Sequence, residues 1–165
     1  MTNIMTALRR VADTVPEAEL VYPVHLSPVV QEVARQYLDN HPRIHLIAPL
    51  AVDEMHNLMA RCHLVMTDSG GLLEESPGLG IPVLVLRRET ERPEAVQAGT
   101  ARLAGVEEDT IVQMASRLLS DPSEYNKMAR AVNPYGDGQA CRRIADAIAW
   151  QFGAAETPPE EFSGR

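Results

Sequence analysis

Short apolar runs alternate with helical stripes through most of this chain, and that alternation restricts its fold more than any other feature. The run Glu19–His25, with Leu20, Val21, Tyr22 and Val24, is rich in β-formers and sits between prolines, which predicts a strand. Further strand-sized runs are predicted at 43–48, 63–67, 82–86 and 100–103. Ile4, Leu8, Val11 and Ala12 form one helical stripe, and Val29, Val33, Ala34 and Leu38 form another over 28–38. Ser27-Pro28 predicts a helix start with a hydroxyl cap and a proline whose missing N–H is harmless there. Helices are also predicted at 53–62, with Met55, Leu58, Met59 and Cys62 inward, near 71–77, and at 93–98. Beyond residue 103 the pattern is helical only. It comprises 109–119, a helix opened by Asp121-Pro122-Ser123-Glu124, the turn cluster Asn133–Gly138, and 139–150. Residues 1–152 are expected to form one domain, with 153–165 as a disordered tail. Strands and helices in strict alternation imply an α/β fold: a parallel sheet with helices on both faces. Ligands of such sheets sit at the carboxyl ends of the strands.

Composition narrows the function classes. Of 165 residues, 45% are hydrophobic, enough for a packed core. Fifteen Lys and Arg against 23 Asp and Glu leave a net charge of −8, which argues against non-specific nucleic-acid binding. Aromatic residues at 4% leave little for stacking single-stranded bases. Single arginines and backbone amides can still hold a phosphorylated small molecule. The longest apolar runs, such as Val83–Leu86, are far too short to cross a bilayer, so no membrane partner is expected. Met1–Met5 has no signal-peptide pattern, and Cys62 and Cys141 have neither metal nor disulfide spacing, so a reducing, cytoplasmic setting is expected.

The loop after the 63–67 strand is the most informative. Ser69-Gly70-Gly71 leaves an apolar strand and opens a helix, so bare backbone and unpaired amides could approach an anion. The alternative is a tight turn that needs glycine for its dihedral angles. Glu74 or Glu75 could accept from ribose hydroxyls, yet two solvated glutamates near a positive helix end explain them as well. Arg87, Arg88 and Arg92 either hold a diphosphate or belong to a charged loop with internal ion pairs. Of five histidines, only His25 stands where a binding residue is expected, at the end of a strand; none has metal-ligand spacing, so no metal is expected.

The long block from Thr67 through Arg87 resembles the signature of the non-hydrolysing UDP-N-acetylglucosamine 2-epimerases. So does its sequel, Thr90-Glu91-Arg92-Pro93-Glu94-Ala95 with Ala98-Gly99-Thr100. Val21-Tyr22-Pro23-Val24-His25 and Asn133-Pro134-Tyr135-Gly136-Asp137-Gly138 match two more blocks. The resemblance runs from about residue 4 to residue 150. It implies a Rossmann-like sheet that forms the C-terminal half of a two-domain, GT-B-type architecture. It also implies that Ser69, Gly70 and Gly71 hold the UDP phosphates, Glu75 the ribose, and that Arg92 lies at the cleft. His25 matches a contact to a second, activating UDP-N-acetylglucosamine molecule. Backbone near Leu50–Asp53 would border the uracil; here Ala51-Val52-Asp53 replaces the family's usual aromatic. Arg88-Glu89 stands where Asp-Thr is usual.

The implied activity is that of an isomerase without a cofactor. UDP leaves carbon 1 as the carbon 2 proton departs, and it adds back after the proton returns on the other face. The family's acid–base carboxylates lie in a first domain that this chain lacks, the whole being roughly twice as long. Substrate UDP-N-acetylglucosamine or UDP is the expected partner, with a second copy or the missing N-terminal half as protein partner. A non-catalytic UDP-sugar-binding module acting with a separate first-domain chain, or a glycosyltransferase half, is the alternative. The family's first, central strand is also absent. The gap must then close by direct pairing, be filled by a partner chain, or leave a marginal fold.

Overall fold

The computed structural model describes residues 1–162, so the last three residues of the expected tail lie outside the described residues. Helix α1 (Thr2–Thr14) leads to strand β1 (Leu20–Pro23), helix α2 (Pro28–Leu38) and strand β2 (Ile44–Ile47). Then follow α3 (Val52–Met59), β3 (Val65–Thr67), α4 (Gly70–Glu75), a 3₁₀ turn at Ser76–Leu79, and β4 (Val83–Val85). Helix α5 (Pro93–Ala98) and strand β5 (Ala101–Leu103) complete the alternation, and α6 (Glu108–Ser120), α7 (Pro122–Ala129) and α8 (Ala140–Gln151) end it. No helix among the described residues is long and apolar enough to cross a membrane.

All pairing is parallel, but the strands form two sheets rather than one, β1-β2 and β3-β4-β5. Closure by direct pairing of β1 with β3 therefore does not occur. A cleft of about 830 Å³ separates them. The alternation of side chains along β4 divides the core between two faces. Leu84 and Leu86 pack on one face with Val11 of α1 and with Ile111, Ala115 and Leu118 of α6. Val83 and Val85 pack on the other with Met59 of α3, Leu73 of α4 and Ala95 of α5. A third cluster joins Met5, Leu8 and Ala12 of α1 to Leu38 and Ile44, so α1 touches both sheets. Helix α8 buries no residue, and Ile148 and Phe152 near its end stay exposed. After it, Glu160 pairs with Arg142 at 3.1 Å, and the Arg143 guanidinium lies over the Phe162 ring.

Two helix starts behave differently. The Asp121 carboxylate accepts from the amides of Ser123 and Glu124 at 2.9 and 3.2 Å, as its sequence predicts. The Ser27 hydroxyl does not cap α2; instead the Ser27 amide donates to His25 Nδ1 at 3.1 Å, which fixes the turn before the helix. Cys62, expected inside the third helix, lies beyond its end, because α3 stops at Met59.

Glu124 is buried among three cations: Lys127 at 2.6 Å, Arg102 at 3.1 Å and Arg117 at 3.3 Å. The Lys127 ammonium first, then Arg102, holds its carboxyl down at about 2 against an ordinary 4.5. A depressed folded-state value stabilises the fold above the unfolded-state value and is lost as pH falls toward the folded one. Urea midpoints are thus expected to drop between about pH 4.5 and about pH 2 in the native chain. Glu124→Gln should flatten that part of the profile.

Candidate functional site at the carboxyl edge of β3

Strand β3 ends at Thr67, whose hydroxyl accepts from the Ser69 amide at 2.9 Å and so bends the chain out of the sheet. The first main-chain bond of α4 runs from the Leu73 amide to the Ser69 carbonyl at 3.2 Å. The amides of Gly70, Gly71 and Leu72 therefore precede any intrahelical acceptor. The left-handed glycines are Gly80, Gly99, Gly105, Gly136, Gly138 and Gly153, and neither Gly70 nor Gly71 is among them. The turn does not need glycine for its dihedral angles, and that reading of the motif falls. What glycine provides here is space: a Cβ on Gly70 would stand 3.1 Å from Glu91 Oε1. On Gly71 it would meet Ser69 Oγ at 3.8 Å and Glu75 Oε1 at 3.9 Å, so the Glu75 carboxylate folds back beside the loop.

Most of the charged side chains around this loop are paired with one another. Glu75 Oε2 lies 3.0 Å from His56 Nε2, which ties α4 to α3. Glu74 accepts from Nε of Arg92, and this bond is the main cause holding the guanidinium above its ordinary value. Arg87 donates to both carboxylate oxygens of Glu91, at 2.8 and 3.1 Å. The backbone amide of Glu91 first, and the Arg87 charge after it, keeps that carboxyl below the usual range. Arg88 turns away to Glu107 at 3.1 Å. The loop after β4 is therefore laced with ion pairs, and Glu74 ties Arg92 to α4.

His25 stands at the end of β1 and lines the cleft between the two sheets together with Asp68 and Ser69. Glu75, Gly71 and Ser69 form one cluster, and Gly70, Glu91 and Arg87 an adjoining one. At the start of α3, Glu54 accepts from the Ala51 amide at 2.9 Å, so the Leu50–Asp53 backbone is fixed just beyond the end of β2. The other histidines are engaged: His41 with Asp13 at 3.1 Å, His45 with Glu19 at 3.0 Å, and His63 stacked on Tyr125 at 4.0 Å. Among the described residues, no three or more His, Cys, Asp or Glu side chains converge to hold a metal ion.

Sequence reasoning did not single out Tyr135, whose ring packs against the core cluster that includes Ala95. Its hydroxyl is buried without a partner. Burial first, then the Glu94 and Glu74 carboxylates, pushes its hydroxyl above the ordinary value. The Asn133–Gly138 turn brings it there, with the Tyr135 amide donating to Asn133 Oδ1 at 3.0 Å. The turn residues were legible, but nothing in their spacing said which strand end they would cover.

A bare main-chain loop at the carboxyl edge of a parallel sheet, ringed by arginines and glutamates, defines a Rossmann-like α/β protein. The family model for UDP-N-acetylglucosamine 2-epimerase matches residues 1–149, and the chain belongs to that family. A UDP-N-acetylglucosamine 2-epimerase of Bacillus subtilis is 50% identical over 165 residues, which is 100% of this chain and 43% of that protein. One of Escherichia coli is 50% identical over 146 residues, 88% of this chain and 39% of its own length. Among solved structures, S. aureus MnaA with UDP superposes with a TM-score of 0.91 at 43% identity, over 98% of this chain and 44% of that one. The Neisseria meningitidis UDP-GlcNAc 2-epimerase bound to UDP-GlcNAc gives 0.84 at 40% identity, over 90% of this chain and 40% of that one. The chain thus spans less than half the length of the relatives it matches.

Because Glu91 occupies Arg87, an incoming anion must compete with a carboxylate. Glu91→Gln is expected to strengthen inorganic pyrophosphate binding a few-fold, the scale of one exposed ion pair. Titration calorimetry in low and high salt checks this, with the gain shrinking as salt rises.

Proposed function

We propose that this chain is the UDP-binding half of a UDP-N-acetylglucosamine 2-epimerase, with residues 1–152 as its nucleotide-sugar-binding domain and 153–165 as its tail. The observation that carries the reading is the ordinary backbone at Gly70 and Gly71. Glycine there serves close approach, and close approach of successive amides suits a diphosphate. In this reading Ser69 donates its hydroxyl and Gly70 and Gly71 their amides to the phosphates. Glu75, folded back beside Gly71, accepts from the ribose hydroxyls. Arg92 leaves Glu74 for the β-phosphate, and His25 marks the place of a second, activating nucleotide-sugar across the cleft.

The chemistry asked of this half is electrostatic. As the bond from carbon 1 to the β-phosphate oxygen breaks, that oxygen gains the bonding pair, and fixed donors plus a guanidinium stabilise the more highly charged departing UDP more than the bound diphosphate diester. Removal and return of the carbon 2 proton need acid–base groups with matched pKa values. In this reading, as the family resemblance implies, those groups come from the other half of a complete enzyme. The reading places the protein in the cytoplasm, which suits its two free cysteines.

Titrating UDP into the chain is expected to release heat at one site. Gly70→Leu should weaken binding at least about tenfold while leaving Tm nearly unchanged, since only the mobile end of Glu91 opposes the new side chain. No UDP-N-acetylmannosamine should form from UDP-N-acetylglucosamine with this chain alone. Unaltered UDP affinity in Gly70→Leu would remove the phosphate-loop assignment, and turnover by the isolated chain would remove the claim of inactivity.

A further inference from the structure

The chain after α7 folds back over the two helices that hold the Arg92–Glu74 pair. A Cβ on Gly78, just behind α4, would meet Asn133 Nδ2 at 3.7 Å, and one on Gly99, at the end of α5, would meet Ala131 Cβ at 3.9 Å. The turn that follows is held at both ends. Asn133 donates from Nδ2 to the Gly136 carbonyl at 3.1 Å and accepts from the Tyr135 amide at 3.0 Å. Arg143 donates to both carboxylate oxygens of Asp137, at 2.7 and 2.8 Å. Tyr135 is thereby laid against the core cluster that joins Leu73 of α4 to Ala95 of α5. Glu74 is the next residue along α4, and Arg92 is the N-cap of α5.

In that place the Tyr135 hydroxyl is buried and makes no hydrogen bond. An O–H buried unpaired costs free energy, and native proteins keep few of them. Both members of the ion pair act on this one. Burial first, then the Glu94 and Glu74 charges, holds the phenol above its ordinary value, against the Ala95 amide and the Arg92 guanidinium. As the pair stands, Arg92 occupies Glu74. Once Arg92 turns to a phosphate, Glu74 becomes a partly buried carboxylate without its donor, and the phenol is the neutral donor beside it. Glu94, the other carboxylate near the ring, is exposed, so water serves it.

We propose that Tyr135 is a positioning residue for capture of the β-phosphate, a role that rests on the reading of Arg92 as the ligand of that phosphate. The Tyr135 hydroxyl donates to Glu74 as Arg92 departs. The carboxylate then exchanges one donor for another and no longer pulls the guanidinium back. Tyr135 itself touches neither the nucleotide nor the reacting carbons, and it contributes only to ligands that carry the second phosphate.

Titration calorimetry of UDP and of UMP into the 165-residue chain and its variants tests this role. Tyr135→Phe is expected to weaken UDP about tenfold, the scale of one hydrogen bond to a charged group, and to leave UMP within about twofold. In a Glu74→Gln background the same change should weaken UDP by no more than about twofold, since no carboxylate is then left bare. Tm should hold or rise in Tyr135→Phe, because the hydroxyl removed has no partner while Arg92 sits on Glu74. Equal losses for UDP and UMP overturn the proposal, by making Tyr135 a packing residue of the whole loop. So does a loss that survives Glu74→Gln and vanishes in Glu94→Gln, and so does a Tm lower by several degrees. UDP that binds the native chain and Tyr135→Phe alike removes this role alone, whereas no UDP binding by the native chain removes it together with the phosphate-loop assignment.

Discussion

Helix α1 is the clasp of this molecule. Two parallel sheets that share no hydrogen bond are held side by side because one helix is apolar on two adjoining stripes. Met5, Leu8 and Ala12 pack down on the β1–β2 side, while Ala7 and Val11 join the core over Leu84 and Leu86. Burial of that kind is worth roughly 25 cal/mol for each square ångström of apolar surface removed from water, and it has no direction. It can therefore bridge a gap that backbone hydrogen bonds, with their fixed reach, cannot cross. Every loop of the candidate site depends on this, since His25 belongs to one sheet and Ser69 to the other.

The site itself is a balance of paired charge around uncharged main chain. His56, Arg92 and Arg87 each meet a carboxylate, so most of the charge around the glycine loop is paired. Exposed pairs of this kind are individually weak, and an anion that brings two negative charges can displace them. The amides of Gly70 and Gly71 need no such exchange. In the proposed function, main chain recognises the anion and side chains rearrange around it, which reconciles a diphosphate ligand with a net charge of −8.

Much of this was legible in the residues. The helix at 28–38 and the helix at 93–98 have the bounds their sequences predict, because a proline opens each. Strand ends were less legible: β3 begins at Val65 rather than His63, since pairing with β4 starts only there. The Ser27 hydroxyl makes no cap bond, while its amide donates to the His25 ring, a contact no helix propensity encodes. In the site, the glycine loop and its strand could be read directly. That Glu75 would turn back to the loop while Glu74 took Arg92 could not, because adjacent helical residues point about 100 degrees apart and only neighbours decide which face matters.

The residues alone determine the elements and their order: local periodicity, proline and the Asp121 cap act over a few positions and need nothing distant. They also carry the family resemblance, because its blocks are contiguous in the chain. Only the tertiary structure decides that the sheet is split, that Tyr135 returns to the Arg92–Glu74 pair, and that glycines 70 and 71 keep an ordinary backbone. Those are distances between residues far apart in the chain, or angles fixed by packing, and they are set when apolar surfaces meet rather than by any local preference.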